Sequence, residues 1–220
     1  PDSRTVRLSG GDTVGWDRLV VAPGIDFRWN AIEGYGPEAV EVMPHAWQGG
    51  PQSRLLRAQL KAMEDGGTFL IAPPEEPYRC PSGPYERISL VAHYFKQAKP
   101  RSKIVLLDAK SEFPLQGQFE EGWASHYAGM IEVIPADFSG GPRAVDTTNM
   151  TVMSEDGSFT PDVANIIPPQ QAGEIARKAG LADESGWCPV DHETFESALI
   201  PGIHVIGDSA IASPMPKAGY

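Results

Sequence analysis

The chain contains little cysteine, no long apolar run and few basic residues for its size. Among its 220 residues only Cys80 and Cys188 are cysteines, too few for a metal site of the cysteine-rich type. No apolar segment approaches the ~20 residues that a membrane-spanning helix needs. Lysine and arginine total 18 against 29 aspartates and glutamates, so the formal charge is −11. This balance argues against nucleic acid or an anionic membrane as a partner, and it suits either a basic partner or simple solubility.

The sequence also lacks a glycine-rich phosphate loop where one would be expected. Short apolar strands alternate with amphipathic helices over residues 52–107, which is typical of a parallel sheet with crossover helices. A nicotinamide-binding unit would carry Gly-x-Gly-x-x-Gly after its first strand, at 68–72. Residues 73–80 instead contain three prolines and two glutamates, which cannot form that turn and would repel phosphate. We therefore expect a Rossmann-like unit without a pyridine nucleotide, in which Asp108 is a strand-end or capping residue.

What occupies this position is a cysteine in a Pro/Gly loop. Cys80 directly precedes a predicted helix at about 84–98, and Glu86 lies in the first helical turn. The free N–H groups and the positive dipole end of a helix favour a thiolate. This combination predicts redox or nucleophilic thiol chemistry. Cys188 is predicted to be a buried structural thiol, although the sequence alone leaves open whether the two cysteines form a bridge.

Two further segments have a pattern found in flavoproteins. The apolar strand at 203–206 ends in Gly207-Asp208, like the second FAD fingerprint of two-dinucleotide flavoproteins, in which the carboxylate meets the ribityl hydroxyls. The alternative is that Asp208 is an ordinary turn residue after a core strand. The run 19–24 matches the strand and Ala-Thr-Gly turn of the same proteins, with proline in place of threonine. Between them, Asp156-Gly157 predicts a β-hairpin.

Longer motifs carry a specific resemblance to the flavoprotein subunit of flavocytochrome c sulfide dehydrogenase. The motifs are Cys80-Pro81-x-Gly83-Pro84-Tyr85-Glu86, Ile206-Gly207-Asp208, Pro214-Met215-Pro216-Lys217-x-Gly219-Tyr220, Pro44-His45-Ala46-Trp47, Ile167-Pro168-Pro169-Gln170 and Gly186-Trp187-Cys188-Pro189-Val190-Asp191. The similarity runs over nearly the whole chain. Sulfide:quinone oxidoreductases are more distant relatives.

The resemblance implies an α/β fold: a Rossmann-like parallel sheet with crossover helices plus a β-meander, with return strands of a partial FAD-binding domain. Residues 1–44 would end the first FAD-domain segment and form a linker, 45–165 would form the second, nicotinamide-like Rossmann domain, and 166–220 would return to the FAD domain. The first glycine-rich FAD motif and the cysteine that attaches FAD in the family would lie upstream of Pro1. We therefore expect an internal fragment that is inactive by itself.

The resemblance also implies a chemistry. Cys80 matches one half of a redox disulfide whose other half would lie beyond Tyr220, rather than at Cys188, and Glu86 matches an acid that assists proton transfer. Hydrosulfide would open the disulfide to a persulfide and a thiolate, and the electrons would pass through FAD to a c-type cytochrome subunit in the periplasm. The implied FAD-binding residues are Ala22, Pro23, Gly24, Gly207, Asp208 and Lys217.

Two other interpretations remain open at this point. One is a sulfide:quinone oxidoreductase, which would need an amphipathic C-terminal membrane anchor. The other is a non-catalytic docking fragment that lacks flavin. The occupancy of FAD distinguishes the second from either enzyme. The histidines show no metal-ligand spacing, so we predict no metal site.

Overall fold

The computed structural model describes residues 3–212. The strands within this range are β1 (Thr5–Arg7), β2 (Thr13–Gly15), β3 (Leu19–Val21), β4 (Ile25–Phe27), β5 (Thr68–Ala72), β6 (Lys103–Leu107), β7 (Ile131–Ile134), β8 (Ala144–Asp146), β9 (Thr151–Met153), β10 (Ser158–Phe159), β11 (Val163–Ile166), β12 (Gln170–Ala172), β13 (Cys188–Pro189), β14 (Ile203–Val205) and β15 (Ala210–Ile211). The α-helices are α1 (Pro51–Ala62), α2 (Gly83–Ala98), α3 (Gln116–His126), α4 (Ala136–Ser139) and α5 (Glu174–Lys178).

These elements form two compact units. We call Arg28–Pro169 the central unit, and the residues up to Phe27 together with those from Gln170 onward the terminal unit. The domain limits expected from the sequence, after residues 44 and 165, concern the complete protein and stay predictions.

The central unit is built on a four-stranded parallel sheet in the order β11-β5-β6-β7. Alternate residues of β5 belong to apolar clusters on opposite faces of the sheet. Phe69 and Ile71 pack against α1, α2 and α3, whereas Leu70 and Ala72 belong to the cluster on the opposite face. That second face is covered by the segment before α1 and by the β8–β9 hairpin. Burial on both faces explains why the strands are continuous apolar runs rather than alternating ones.

Helix α2 crosses one face of this sheet and places the cysteine loop at its beginning. Ile88, Val91, Ala92 and Phe95 are all buried, at the i, i+3, i+4 and i+7 spacing of one helical face. Pro84 lies in the first turn, where a missing N–H costs no intrahelical bond. The predicted helix at 84–98 is confirmed and begins one residue earlier.

The β-meander follows α4. Strands β8, β9 and β10 pair antiparallel, and Ser158 lies opposite Met153 across the turn at 155–157, which confirms the predicted hairpin. The chain then enters β11, which pairs with β5 on the edge of the parallel sheet. The local pattern predicts a strand here, but its partner lies almost a hundred residues away in the chain and no local pattern specifies it.

The terminal unit consists of short strand pairs around a separate apolar core. β3 and β14 are parallel, with Leu19 opposite Ile203 and Val21 opposite Val205, and β4 pairs antiparallel with β12. Trp187 and Val205 are among the buried residues of its core. The α/β fold class, with a parallel sheet, crossover helices and a meander, is confirmed.

Candidate functional site

Cys80 lies at the tip of the loop that joins β5 to α2. Its side chain is exposed and free, and its backbone adopts the left-handed region with φ of 58°. The carbonyl of Cys80 accepts the N–H of Gly83 at 2.9 Å. Left-handed backbone is uncommon for a residue with a side chain and is frequent at functional sites. The turn therefore ends with the thiol presented to solvent beside the N-terminus of α2.

The first turn of α2 contains the second predicted catalytic residue. The Ser82 carbonyl accepts the N–H groups of Tyr85 and Glu86, and the Ser82 hydroxyl donates to Glu86 Oε1 at 2.6 Å. Glu86 is exposed, so its carboxylate is accessible to solvent. A carboxylate in this turn is also favoured by the helix dipole. The structure thus places Cys80 and Glu86 at the same helix end, as the motif spacing predicts.

Gly83 is the position at which the loop, the helix and a tryptophan meet most closely. A Cβ atom built there would lie 2.7 Å from Trp47 Cη2 and 3.0 Å from Cys80 Sγ, distances at which a neighbour must move. The shape of this corner therefore depends on glycine for space rather than for an unusual φ.

We expect Gly83→Ala to destabilise the protein by about 1–3 kcal/mol and to shift Trp47 or Cys80, because a methyl group is forced into a filled space. Gly122→Ala is the matched control: Gly122 lies inside α3 with no atom within 4 Å of an added Cβ, so this change should stabilise by up to about 1 kcal/mol. Urea denaturation measures both. If the two variants unfold at similar urea concentrations, the crowding at Gly83 is not significant.

A network of buried polar side chains connects the cysteine loop to the end of β6. Lys110 Nζ lies 2.6 Å from Asp108 Oδ1 and also donates to the carbonyl of Pro74 at 2.9 Å. Tyr85 donates its hydroxyl to Asp108 Oδ2 at 2.7 Å, and Tyr78 donates to the carbonyl of Pro81 at the same distance. Burial raises the pKa of both tyrosines, so they remain hydroxyl donors. Both ends of the loop are thereby tied to the carboxyl edge of the sheet.

Asp108 has the structural role that the sequence predicts for it. It is 1 % exposed, and its carboxylate accepts the backbone N–H of Lys110 in addition to the two side-chain contacts above. Because both oxygens are engaged within the protein, this carboxylate is not presented to a ribose. The strand-end interpretation is confirmed.

Arg87, which the sequence reasoning missed, is the centre of a second cluster behind the cysteine. Its guanidinium donates to Ala46 O at 2.6 Å, to Asn165 Oδ1 at 2.7 Å and to His45 O at 3.3 Å. It also lies over the ring of Trp47, 5.3 Å from the centroid. Burial lowers the pKa of Arg87 to about 10, which leaves it cationic at neutral pH.

The partners of Arg87 come from two distant parts of the chain. Asn165, in β11, orients the segment before α1 by donating its amide to the carbonyls of Pro44 and His45 at 2.7 and 2.8 Å. The sequence offered one signal for this cluster, namely the two family motifs at Pro44–Trp47 and at Cys80-Pro81-x-Gly83. Nothing in the local sequence indicates that Arg87 contacts the first of these motifs.

His45 is buried at 3 % exposure, and its Nδ1 accepts the N–H of Trp47 at 3.0 Å. That bond requires the neutral ring, with its proton on Nε2. Burial, followed by the charge of Arg87, lowers the pKa of His45 to about 4 from its ordinary 6.5. Below pH 6.5 the unfolded chain therefore binds a proton that the folded protein excludes.

We expect stability to fall as the pH drops from about 6.5 to 4, by about 3 kcal/mol at the lower end, because the folded-state pKa of His45 is depressed. The contribution is complete above pH 6.5. Denaturant titrations of His45→Gln should show a flatter dependence over this range, whereas His93→Gln, at an exposed position, should resemble the wild type. Equal slopes for wild type and His45→Gln would contradict the assignment.

The predicted FAD-binding residues of the terminal unit meet at the carboxyl ends of β3 and β14. Gly24 and Gly207 have φ of 67° and 73°, and Ser209 Oγ donates to the carbonyl of Gly24, joining the two turns. Carboxyl ends of neighbouring parallel strands are where open α/β sheets bind ligands. The turns thus bring together Ala22, Pro23, Gly24, Gly207 and Asp208, whereas Lys217 and the motif around it lie outside the described residues.

Cys188 contrasts with Cys80. It is fully buried in the core of the terminal unit as a free thiol, and burial raises its pKa to about 11. A thiol in this state packs as a small apolar side chain, so the predicted structural role is confirmed.

Within residues 3–212, no group of three or more His, Cys, Asp or Glu side chains is arranged to hold a metal ion. None of the helices in this range has both the length and the hydropathy required to span a bilayer.

Residues 53–168 match the central region of the flavoprotein chain of sulfide dehydrogenase (flavocytochrome c). This match covers more than half of the sequence and includes Cys80, Glu86 and Arg87. The chain belongs to this family. The family assignment made from the motifs is confirmed, and the family is one of flavoproteins that oxidise sulfide.

Other relatives agree with membership of the sulfide dehydrogenase family. The mitochondrial sulfide:quinone oxidoreductase of Mus musculus is 23% identical over 231 residues, covering 94% of this chain and 48% of the mouse protein. The chain therefore spans about half the length of this curated relative.

Two solved structures show the same fold. A ferredoxin reductase for the CYP199A2 system from Rhodopseudomonas palustris has a TM-score of 0.66 at 16% identity, over 96% of this chain and 48% of the reductase. An NAD-dependent persulfide reductase from A. fulgidus has a TM-score of 0.60 at 14% identity, over 95% of this chain and 37% of that protein.

Proposed function

We propose that the complete protein is an FAD-dependent sulfide dehydrogenase of the flavocytochrome c type, which oxidises sulfide and passes the electrons to a c-type cytochrome subunit in the periplasm. The observation that carries the proposal is the family match over residues 53–168, with an exposed free thiol at Cys80 inside it. The cytochrome and the periplasmic location follow from the flavocytochrome c resemblance.

In the proposed reaction Cys80 is one half of a disulfide with a cysteine outside this chain. Hydrosulfide attacks the disulfide; the S–S bond breaks, a new S–S bond forms in a persulfide, and one cysteine is released as a thiolate. The sulfide sulfur is oxidised and the released cysteine sulfur is reduced. The helix N-terminus beside Cys80 favours a thiolate there, and exposed Glu86 can carry the proton exchanged with solvent.

The terminal unit has residues that fit FAD. Gly207 has a positive φ and open space where a Cβ would point, which permits close approach of a ligand to its backbone. Asp208, half-buried at the end of β14, would accept hydrogen bonds from ribityl hydroxyls, and Gly24 would border the same site from β3. Lys217 is proposed from the motif alone. When bound, FAD supplies an acceptor for two electrons that can be released singly.

A quinone acceptor is the alternative that a specific observation favours, because the mouse relative is named a sulfide:quinone oxidoreductase. A purified complete protein with a flavin spectrum, reduced by sulfide and reoxidised by cytochrome c faster than by a soluble quinone, would support the proposal. Faster reoxidation by the quinone would favour the alternative. A complete protein that binds no flavin would contradict both and favour a docking role.

A further inference from the structure

The guanidinium of Arg87 is partly buried and has no carboxylate partner among the described residues. Its acceptors are the neutral oxygens of His45, Ala46 and Asn165. Withdrawing a cation from water is costly unless an anion compensates it, and neutral carbonyls do so only in part. The positive charge of Arg87 would therefore stabilise an anion close by, including an anion that exists only during part of a reaction.

Cys80 is a group that can become such an anion, and its charge acts on Arg87. The Trp47 ring has the guanidinium over its face and, at its edge, shares the space in front of Gly83 with Cys80 Sγ. A negative charge on Cys80 raises the pKa of Arg87, so the guanidinium is within electrostatic reach of the sulfur.

Other titratable and charged groups lie around the pair. Tyr78, Arg79 and Glu76 belong to the loop, Glu86 to the beginning of α2, and His45 to the segment before α1. Tyr78 is uncharged at neutral pH, as an ordinary phenol is, and burial raises its pKa further; His45 is neutral because burial lowers its pKa to about 4. Glu86 is exposed and bonded to Ser82.

We propose that Arg87 is a positioning residue for Cys80: it stabilises this cysteine as a thiolate across the Trp47 ring whenever the disulfide is open. The inference rests on the proposed sulfide dehydrogenase function, in which cleavage of the disulfide by hydrosulfide transfers the bonding electron pair to the departing sulfur. A cation fixed behind Cys80 favours Cys80 as that departing sulfur, while the persulfide forms on the other cysteine.

The test is the rate at which Cys80 is alkylated by iodoacetamide in the reduced complete protein, read by mass spectrometry on the tryptic peptide that begins at Cys80. We expect Arg87→Gln to slow alkylation at pH 7 by about tenfold and to move the pH profile to higher pH, because one charge pair is removed. Arg87→Lys, which keeps the cation, should stay within about threefold of the wild type and keep its profile. A purely structural role predicts no change of the profile.

An unchanged profile in a folded Arg87→Gln protein would overturn the proposal. If Arg87→Gln does not fold, the wild type decides: native Cys80 should react about tenfold faster at pH 7 than the same cysteine in urea, and an equal or slower native rate would overturn the proposal. Alkylation does not require sulfide turnover. A protein with the expected alkylation rates but no sulfide oxidation would contradict the proposed function and leave the role of Arg87 standing.

Discussion

Cys80→Ser in the complete protein is expected to reduce sulfide-dependent reduction of cytochrome c by about 10³-fold or more while leaving flavin bound, because a serine hydroxyl can neither form the disulfide nor leave as a thiolate. Flavin content is measured from the visible spectrum of the same sample. The side chain is exposed, so the fold should tolerate the change.

Cys188→Ala is the matched control. Cys188 is buried in the terminal unit, and its removal should leave turnover close to wild type with a modest loss of stability. Unchanged turnover in Cys80→Ser would remove Cys80 from the mechanism. Loss of turnover in a folded Cys188→Ala protein would make Cys188 the partner of the disulfide.

The second large effect is expected at the network beneath the loop. Lys110→Met should destabilise the central unit by about 3–5 kcal/mol, because it leaves the carboxylate of Asp108 buried without its cation. The side chains of Lys110 and Asp108 are 11% and 1% exposed, so water cannot replace the lost partner. The Pro74 carbonyl also loses its donor, which should loosen the cysteine loop.

Lys178→Met provides the comparison, since Lys178 forms an exposed i,i+4 pair with Glu174 at 67% and 63% exposure. Pairs of this kind contribute less than about 1 kcal/mol. Urea denaturation of both variants measures the difference, and the double variant Asp108→Asn, Lys110→Met should regain part of the stability. If Lys110→Met and Lys178→Met cost the same, the buried network does not stabilise the loop.

The two networks explain how a loop rich in proline holds a reactive thiol in one place. Lys110 holds the loop from the sheet edge and Tyr78 closes the loop on Pro81, whereas Trp47 and Gly83 limit the space around the sulfur. The three substitutions therefore test different properties of the loop. Gly83→Ala tests the space around the sulfur, Lys110→Met tests the buried ion pair that supports the loop, and Arg87→Gln tests the positive charge near the thiol.

Local pattern was sufficient for most of the elements that position the site. The bounds of β5 agree with the predicted strand at 68–72, and α2 agrees within one residue with the predicted helix. These segments are predictable because buried parallel strands and an amphipathic helix each have a pattern that depends only on neighbours in sequence. The spacing of Cys80 and Glu86 around the start of α2 is local for the same reason.

By itself the sequence determined the fold class, the family, and the cysteine at the beginning of a helix where a phosphate loop would otherwise lie. Only the tertiary structure decided what surrounds that cysteine. Arg87 meets Trp47 and Asn165 because β11 returns to pair with β5, and Asp108 meets Lys110, Tyr85 and the cysteine loop because parallel strands end at one edge. Such contacts depend on burial and on pairing between distant segments, which no local pattern encodes.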